Sequence, residues 1–251
     1  MQKTFDTPEP VRLEITVPVG EVDVQTVDGN ESEVIVEGSE KLVEQTRVEL
    51  VGNRLVIETR EKAFGVTISI GGFVLGGNDL DIRVRVPHAS SADIKTASAD
   101  MRLRGRYARL DSKSASGDLE VIGEIDGDAE VKTVSGDVRL RSVGGSLKVQ
   151  SVSGDVNVES VANDVTTKSV SGDVRIDSAR EGKVTAQSVS GDIELGVASG
   201  TNLDVDAGSV SGELSSDVPL GSDVASIDST GPVLVVRGKT VSGDFKVFRA
   251  A

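Results

Sequence analysis

The sequence contains no cysteine, no tryptophan and a single tyrosine. Without cysteine, disulfides and thiolate metal sites are excluded, and the redox compartment leaves no mark. Aromatic residues make up 2% of the chain, so the interior must be built from Val, Ile, Leu and Ala. Such a core suits many thin, similar layers better than a rounded globule. No run of 18 apolar residues occurs, which excludes a membrane-spanning helix. Basic residues are outnumbered 27 to 41, leaving a net charge of −14. A surface that negative repels phosphate backbones, and no basic stripe interrupts it, so nucleic acid is not an expected partner.

What is present is repetition. Among 28 glycines and only 6 prolines, seven glycines sit in near-identical words of the form SVSGDV: Gly117, Gly136, Gly154, Gly172, Gly191, Gly212 and Gly243. Successive gaps are 19, 18, 18, 19, 21 and 31 residues, and a decayed copy, TASADMRL at 96–103, places Ala99 where the glycine would stand. Fixed-period self-similarity is the mark of a stacked repeat architecture. The 31-residue gap is expected to hold one coil plus an insertion around SDVPLGSDVASIDSTGPV.

Within each unit the apolar residues alternate. Val138 and Leu140, Val156 and Val158, Val174 and Ile176, and Ile193 and Leu195 follow the turns. A second short run precedes them: Ala129 and Val131, Leu147 and Val149, Val165 and Thr167, Val184 and Ala186. Period-2 alternation marks strands with one buried face. Two short strands cannot bury that face alone, whereas stacked in register they form ladders at about 4.8 Å spacing. Eighteen residues at about 3.3 Å each trace roughly 60 Å, enough for a narrow closed coil. The predicted fold is therefore all-β: a parallel β-solenoid of two-strand coils of about 18 residues, occupying 91–251. Two core columns are expected in chain order, Val134, Val152, Val170, Val189, Val210, Val241 and Leu119, Val138, Val156, Val174, Ile193, Leu214, Phe245. The glycines are expected at corners with positive φ, and the flanking Ser and Asp to bond nearby backbone.

Residues 1–90 keep a β signature without the strict phase, in VRLEITVPVGEVDVQTV, SEVIVEGS, TRVELVGNRLVIETR and DLDIRVRVPH. VGN at 51–53 reads as a hairpin turn. An irregular antiparallel or mixed β cap over the first coil is expected there, shielding its open edge. At the other end Phe245 fits a core column, while Phe248 breaks the alternation and is expected to fold over the last coil.

TFDTPEPVRLEITVPVGEVDV, followed by ADIKTASADMRL and serial SVSGDV words, resembles the bacterial putative-adhesin family of β-strand-repeat proteins, also called toastrack domains, over nearly the whole chain. The resemblance implies a stacked β fold, no catalytic residues, and a role as an interaction or assembly module linked in some bacteria to cell-envelope stress.

Three constellations compete as functional sites. The carboxylates after the corner glycines, Asp118, Asp137, Asp155, Asp173 and Asp192, with Glu213 and Asp244, should stack along one edge. Calcium would relieve their mutual repulsion, giving a calcium-dependent adhesive module; the simpler reading is turn chemistry, with each Asp accepting backbone N–H groups. The segment KAFGVTISIGGFVLGGNDL at 62–80 carries no charge between Lys62 and Asp79. Its Phe64, Ile68, Ile70, Phe73, Val74 and Leu75 form either an exposed hairpin over 63–77 that docks a partner or a membrane surface, or a buried hairpin of the cap. His88 is the only histidine, and a Ser-His-Asp triad would have to use it. The mixed charges of Arg139, Arg141, Glu159, Arg175 and Asp177 read as cross-strand pairing. The preferred reading is a non-catalytic scaffold without a cofactor, working through a protein partner or self-association, with peripheral membrane contact as an option. The opening MQKTFDTPEPVRLEITV lacks a basic n-region and apolar h-region, so a cytoplasmic location is expected.

Overall fold

A computed structural model describes residues 1–59, 80–218 and 231–250. The chain opens with β1 (Gln2–Asp6), β2 (Arg12–Val27), β3 (Glu31–Gly38), the short helix α1 (Glu40–Gln45), β4 (Thr46–Val51) and β5 (Arg54–Thr59). β6 (Leu80–Pro87) and the long β7 (Ser90–Ser116) follow. The repeats supply β8 (Leu119–Ile125), β9 (Ala129–Lys132), β10 (Val138–Val143), β11 (Leu147–Gln150), β12 (Val156–Val161), β13 (Val165–Lys168) and β14 (Val174–Ala179). The chain ends through β15 (Gly182–Gln187), β16 (Ile193–Val197), β17 (Asn202–Ser209), β18 (Leu214–Ser216), β19 (Val233–Thr240) and β20 (Phe245–Arg249).

The alternating words build what their period demands. β8, β10, β12, β14 and β16 pair in parallel, as do β9, β11, β13 and β15. Like residues stand on like: Val138 on Val156, Val156 on Val174, Leu147 on Val165. The two ladders enclose one continuous apolar core. This is a parallel β-solenoid. Parallel stacking also crosses residue 90, because β2 runs in register with β7 from Arg12 to Gln25. Beyond it, β5 and β6 add a further layer on the far side of β2. Antiparallel strands then give this end its mixed character: β4 on β5, β3 on β6 and β1 on β3. The hairpin turn expected at 51–53 joins β4 to β5, with Gly52 at φ +64°.

Chain order and stacking order part company at the C-terminal end. β19 and β20, the last strands in sequence, lie between β15–β16 and β17–β18. The core column therefore reads Ile193, Phe245, Leu214, not the sequential order expected. Side-chain size supplies a physical reason. Phe245 is fully buried, which requires a coil on each side. Its ring occupies the space a Cβ on Gly238 would fill, with Cε2 2.2 Å from that point. Leu214, in the outermost coil, stays 48% exposed. The larger side chain takes the inner place because burying it stabilises more.

Phe248 does not fold over the last coil. Its ring lies against Gly196, under the Arg175 guanidinium at 5.5 Å from the centroid. That outer-face position explains why it breaks the inward alternation.

Candidate interaction surface

The corner that every coil shares is built by three ladders of bonds. First come the glycines. A Cβ added at any of the seven corner glycines would stand 2.1–2.3 Å from the carbonyl oxygen of the neighbouring corner. Close stacking, not unusual backbone angles, is what requires glycine: of the seven, only Gly117 has positive φ. The positive φ expected for the others is thus replaced by a steric cause.

Next come the carboxylates. The Asp118 N–H donates to Asp100 Oδ1, and the step repeats through Asp137, Asp155, Asp173, Asp192 and Asp244 to Glu213, each at 2.8–3.1 Å. The sequence-predicted acidic ladder is brought together as a continuous rail, and one oxygen of each Asp is engaged by the next coil's backbone. A charge-assisted bond of this kind is among the stronger ones available to a turn. Among the described residues no group of three or more acidic or histidine side chains is arranged to hold a metal.

The third ladder is serine. Ser151, Ser169 and Ser188, three residues before their glycines, accept the glycine N–H at 3.0–3.1 Å and are buried. Sequence reasoning looked to the serine immediately before glycine; the structural bond belongs to the earlier one. Thr133 and Thr240 occupy the same place, and their hydroxyls find no partner.

With the corner carboxylates committed to backbone, the outer surface shows what remains. Val134, Val152, Val170, Val189 and Val241 are 44–51% exposed, and Val210 is 81% exposed. They were expected as a core column and are instead an outward ridge. Parity is the cause: Ala129, Val131 and Thr133 point inward, so Val134 must point outward. Counting back from the strand would have found it. The ridge is continuous, since Ser153 N–H donates to the Val134 carbonyl, Ser171 to Val152 and Ser190 to Val170; Ser242 to Val189 and Ser211 to Val241 complete it.

Elsewhere many of the outward charges among the described residues are paired with one another. Arg139 meets Asp137 at 2.9 Å, Arg141 meets Glu159 at 3.7 Å, and Arg175 bonds both Asp177 and Glu194. Glu130 lies between Lys132 at 2.8 Å and Lys148 at 3.1 Å, and hydrogen bonds to both hold its carboxyl down to about 2. A cleft of about 380 Å³ beside the start of the acidic rail gathers Glu21, Asp100 and Asp118, with Arg102 already bonded to Glu120 at 2.9 Å. His88 has Thr26 Oγ1 at 2.9 Å from Nδ1 and Asp28 at 3.6 Å from Nε2, so its neighbours are not those of a serine nucleophile. Tyr107 is sealed in the core, donating to the Val24 carbonyl at 2.8 Å, and burial pushes its hydroxyl pKa up. Phe64, Ile68, Ile70, Phe73, Val74 and Leu75, with the rest of the 63–77 hairpin, lie outside the described residues. No helix among the described residues is long and apolar enough to cross a membrane.

A parallel stack built from described strands between Arg12 and Arg249, with a glycine-acid corner from Gly117 to Asp244, coincides with a known sequence family. The match is to Toastrack DUF4097 and spans residues 12–248. This chain belongs to the toastrack family. Among solved structures, toastrack chain and neighbour align almost end to end. A putative adhesin from Bacteroides fragilis is 13% identical, with 98% of this chain and 96% of that one covered at a TM-score of 0.60. A putative lipid binding protein from Parabacteroides distasonis is 17% identical, with 98% and 96% covered at a TM-score of 0.52. At such identities the likeness is one of fold. Among curated proteins, none matches this sequence significantly.

Proposed function

We propose that this toastrack protein is a non-catalytic scaffold that binds protein partners along its outer surface, in the envelope-stress setting its family resemblance implies. One observation carries the reading: the corner carboxylates from Asp118 to Asp244 each accept a neighbouring backbone N–H, while an apolar ridge of six valines beside them is left in water. Exposed apolar surface that is contiguous and rimmed by polar residues is characteristic of interaction sites. The calcium-dependent alternative has less support, because one oxygen of each rail carboxylate already accepts an N–H.

The test is complementation of a deletion strain under envelope stress. A Val170→Lys/Val189→Lys variant with wild-type thermal stability should fail to complement and should lose neighbours captured by in-cell crosslinking. Full complementation with an unchanged set of neighbours would overturn the scaffold reading of this surface.

A further inference from the structure

We propose that the valine ridge seats a second copy of this chain, forming a side-by-side dimer whose two-fold axis runs parallel to the ridge; the inference rests on the scaffold reading above. Three features of the surface select that occupant. The ridge is an apolar edge that extends, through the exposed Ala115, along the same line of bonded corners. Beside its C-terminal rungs lies a groove of about 660 Å³, which runs over four coils from Lys168 to Gly208 and is lined by residues including Gln187, Val189, Ala207 and Val241. The groove opens where Gly208 stands in register with Lys239, so that a side chain is missing from the outer row. A ridge with a parallel groove at its side is self-complementary under a two-fold rotation: each ridge enters the other's groove.

Charge fixes the direction of the axis. On the groove side of the ridge the outward row alternates Lys132, Gln150, Lys168, Gln187 and Lys239, and on the opposite side runs the carboxylate rail of Asp137, Asp155, Asp173 and Asp244. An axis parallel to the ridge sets each lysine row against the partner's carboxylate row. An axis across the ridge would set lysine on lysine and carboxylate on carboxylate, which is unfavourable. A second copy also repeats at the same spacing of about 4.8 Å per rung, so every rung is matched once one is. An anionic membrane or nucleic acid would set like charge against the carboxylate rail, whereas a second copy brings lysines to it. Seven rungs about 4.8 Å apart, from Ala115 to Val210, and five residues of width give a strip of roughly 500 Å² per partner, the size of a reversible dimer interface.

The absence of cysteine makes the test direct. Sedimentation equilibrium of the full chain should show a reversible dimer at concentrations up to about 100 µM. Val170→Lys/Val189→Lys should be monomeric with an unchanged melting temperature, and the shape-conserving Val170→Thr/Val189→Thr should be weakened at least several-fold. Single variants Val152→Cys and Val241→Cys should both form interchain disulfides with themselves on mild oxidation, because a parallel axis places each rung beside its own mate. A monomeric wild type, a dimer indifferent to both double variants, or a larger polymer overturns the proposal. Self-pairing at only one of the two cysteine positions overturns the parallel axis. A monomeric wild type whose Lys variant still fails to complement would remove the dimer and leave the scaffold standing.

Discussion

The coils from Gly117 to Val197 and the two coils at the C-terminal end are written in the same words, yet only the first set stacks in chain order. In the middle, each coil lies on the one that precedes it in sequence. At the end, the chain passes over one level to form β17 and β18, then returns to slot β19 and β20 into the gap. The N-terminal side uses a related device, with β2 held between β7 and the later β5 and β6. Rung-to-rung bonds are thus interchangeable, and apolar content decides which coil is enclosed. A consequence is that β20, the last strand in sequence, is bonded on two sides, which protects a terminus that would otherwise fray, whereas β1 pairs with β3.

The largest expected effect tests that enclosure. Phe245→Ala removes a fully buried ring from the inner coil and should cost about 3–5 kcal/mol. Leu214→Ala, at the equivalent place one coil further out and half exposed, should cost less than about 1 kcal/mol. Urea unfolding of both variants checks the pair. Equal losses would mean that the outer coil is as enclosed as the inner one, and the size argument would fail.

The glycine corner offers a second contrast. A Cβ at Gly154 would meet the Gly136 carbonyl at 2.1 Å, and the Gly154 carbonyl is in turn approached by Gly172. With coils fixed on both sides there is no room to shift, so Gly154→Ala should cost about 3 kcal/mol or more. Gly212 meets Gly243 at the same 2.1 Å, but its coil pairs on one side only among the described residues. That coil can move outward, and Gly212→Ala should cost about 1 kcal/mol. Thermal melts compare the two. A Gly154→Ala protein as stable as Gly212→Ala would show that the inner coils yield more than their bonds suggest.

Much of this architecture is legible in the order of residues alone. The period of the glycine words sets the coil, and alternation within the words marks the inward residues, since Val138, Val156, Val174 and Ile193 are all buried. Stacking order is not legible, because SVSGD and TVSGD present identical hydrogen-bonding groups and any coil can accept any other. A clue lies in Gly238, whose missing side chain makes room for Phe245. The ridge is misread for a different reason: valine suggests core by composition, whereas its parity relative to Val131 and Thr133 sets it outside. The apolar 63–77 segment lies outside the described residues, and only its sequence pattern speaks for it.

The acidic rail permits a finer test, because the structural and cation-binding readings predict opposite responses to one substitution. Asp155 Oδ1 accepts the Asp173 N–H at 3.0 Å. Asp155→Ala removes that acceptor and should cost about 1–2 kcal/mol. Asp155→Asn keeps an acceptor oxygen and lowers the charge along the rail, so its stability should stay within about 0.5 kcal/mol of wild type. Millimolar calcium should not shift the melting temperature of either. A calcium-dependent rise in the wild type that Asp155→Asn abolishes would instead favour a cation site.

The smallest effect concerns one hydroxyl. Ser151, Ser169 and Ser188 close their corners by accepting a glycine N–H, whereas Thr133, in the same place one coil earlier, has a buried hydroxyl without a partner. A threonine is held to fewer side-chain rotamers than serine by its branched Cβ. Thr133→Ser frees the hydroxyl to reach the Gly136 N–H as its neighbours do, and should stabilise by about 0.5–1 kcal/mol. The gain should be confined to threonine corners, so the reverse change, Ser169→Thr, should lose a similar amount. If Thr133→Ser is neutral while Ser169→Thr is destabilising, the two corners differ in more than the hydroxyl. The first coil of the regular stack would then be held in place by β7 rather than by its own turn.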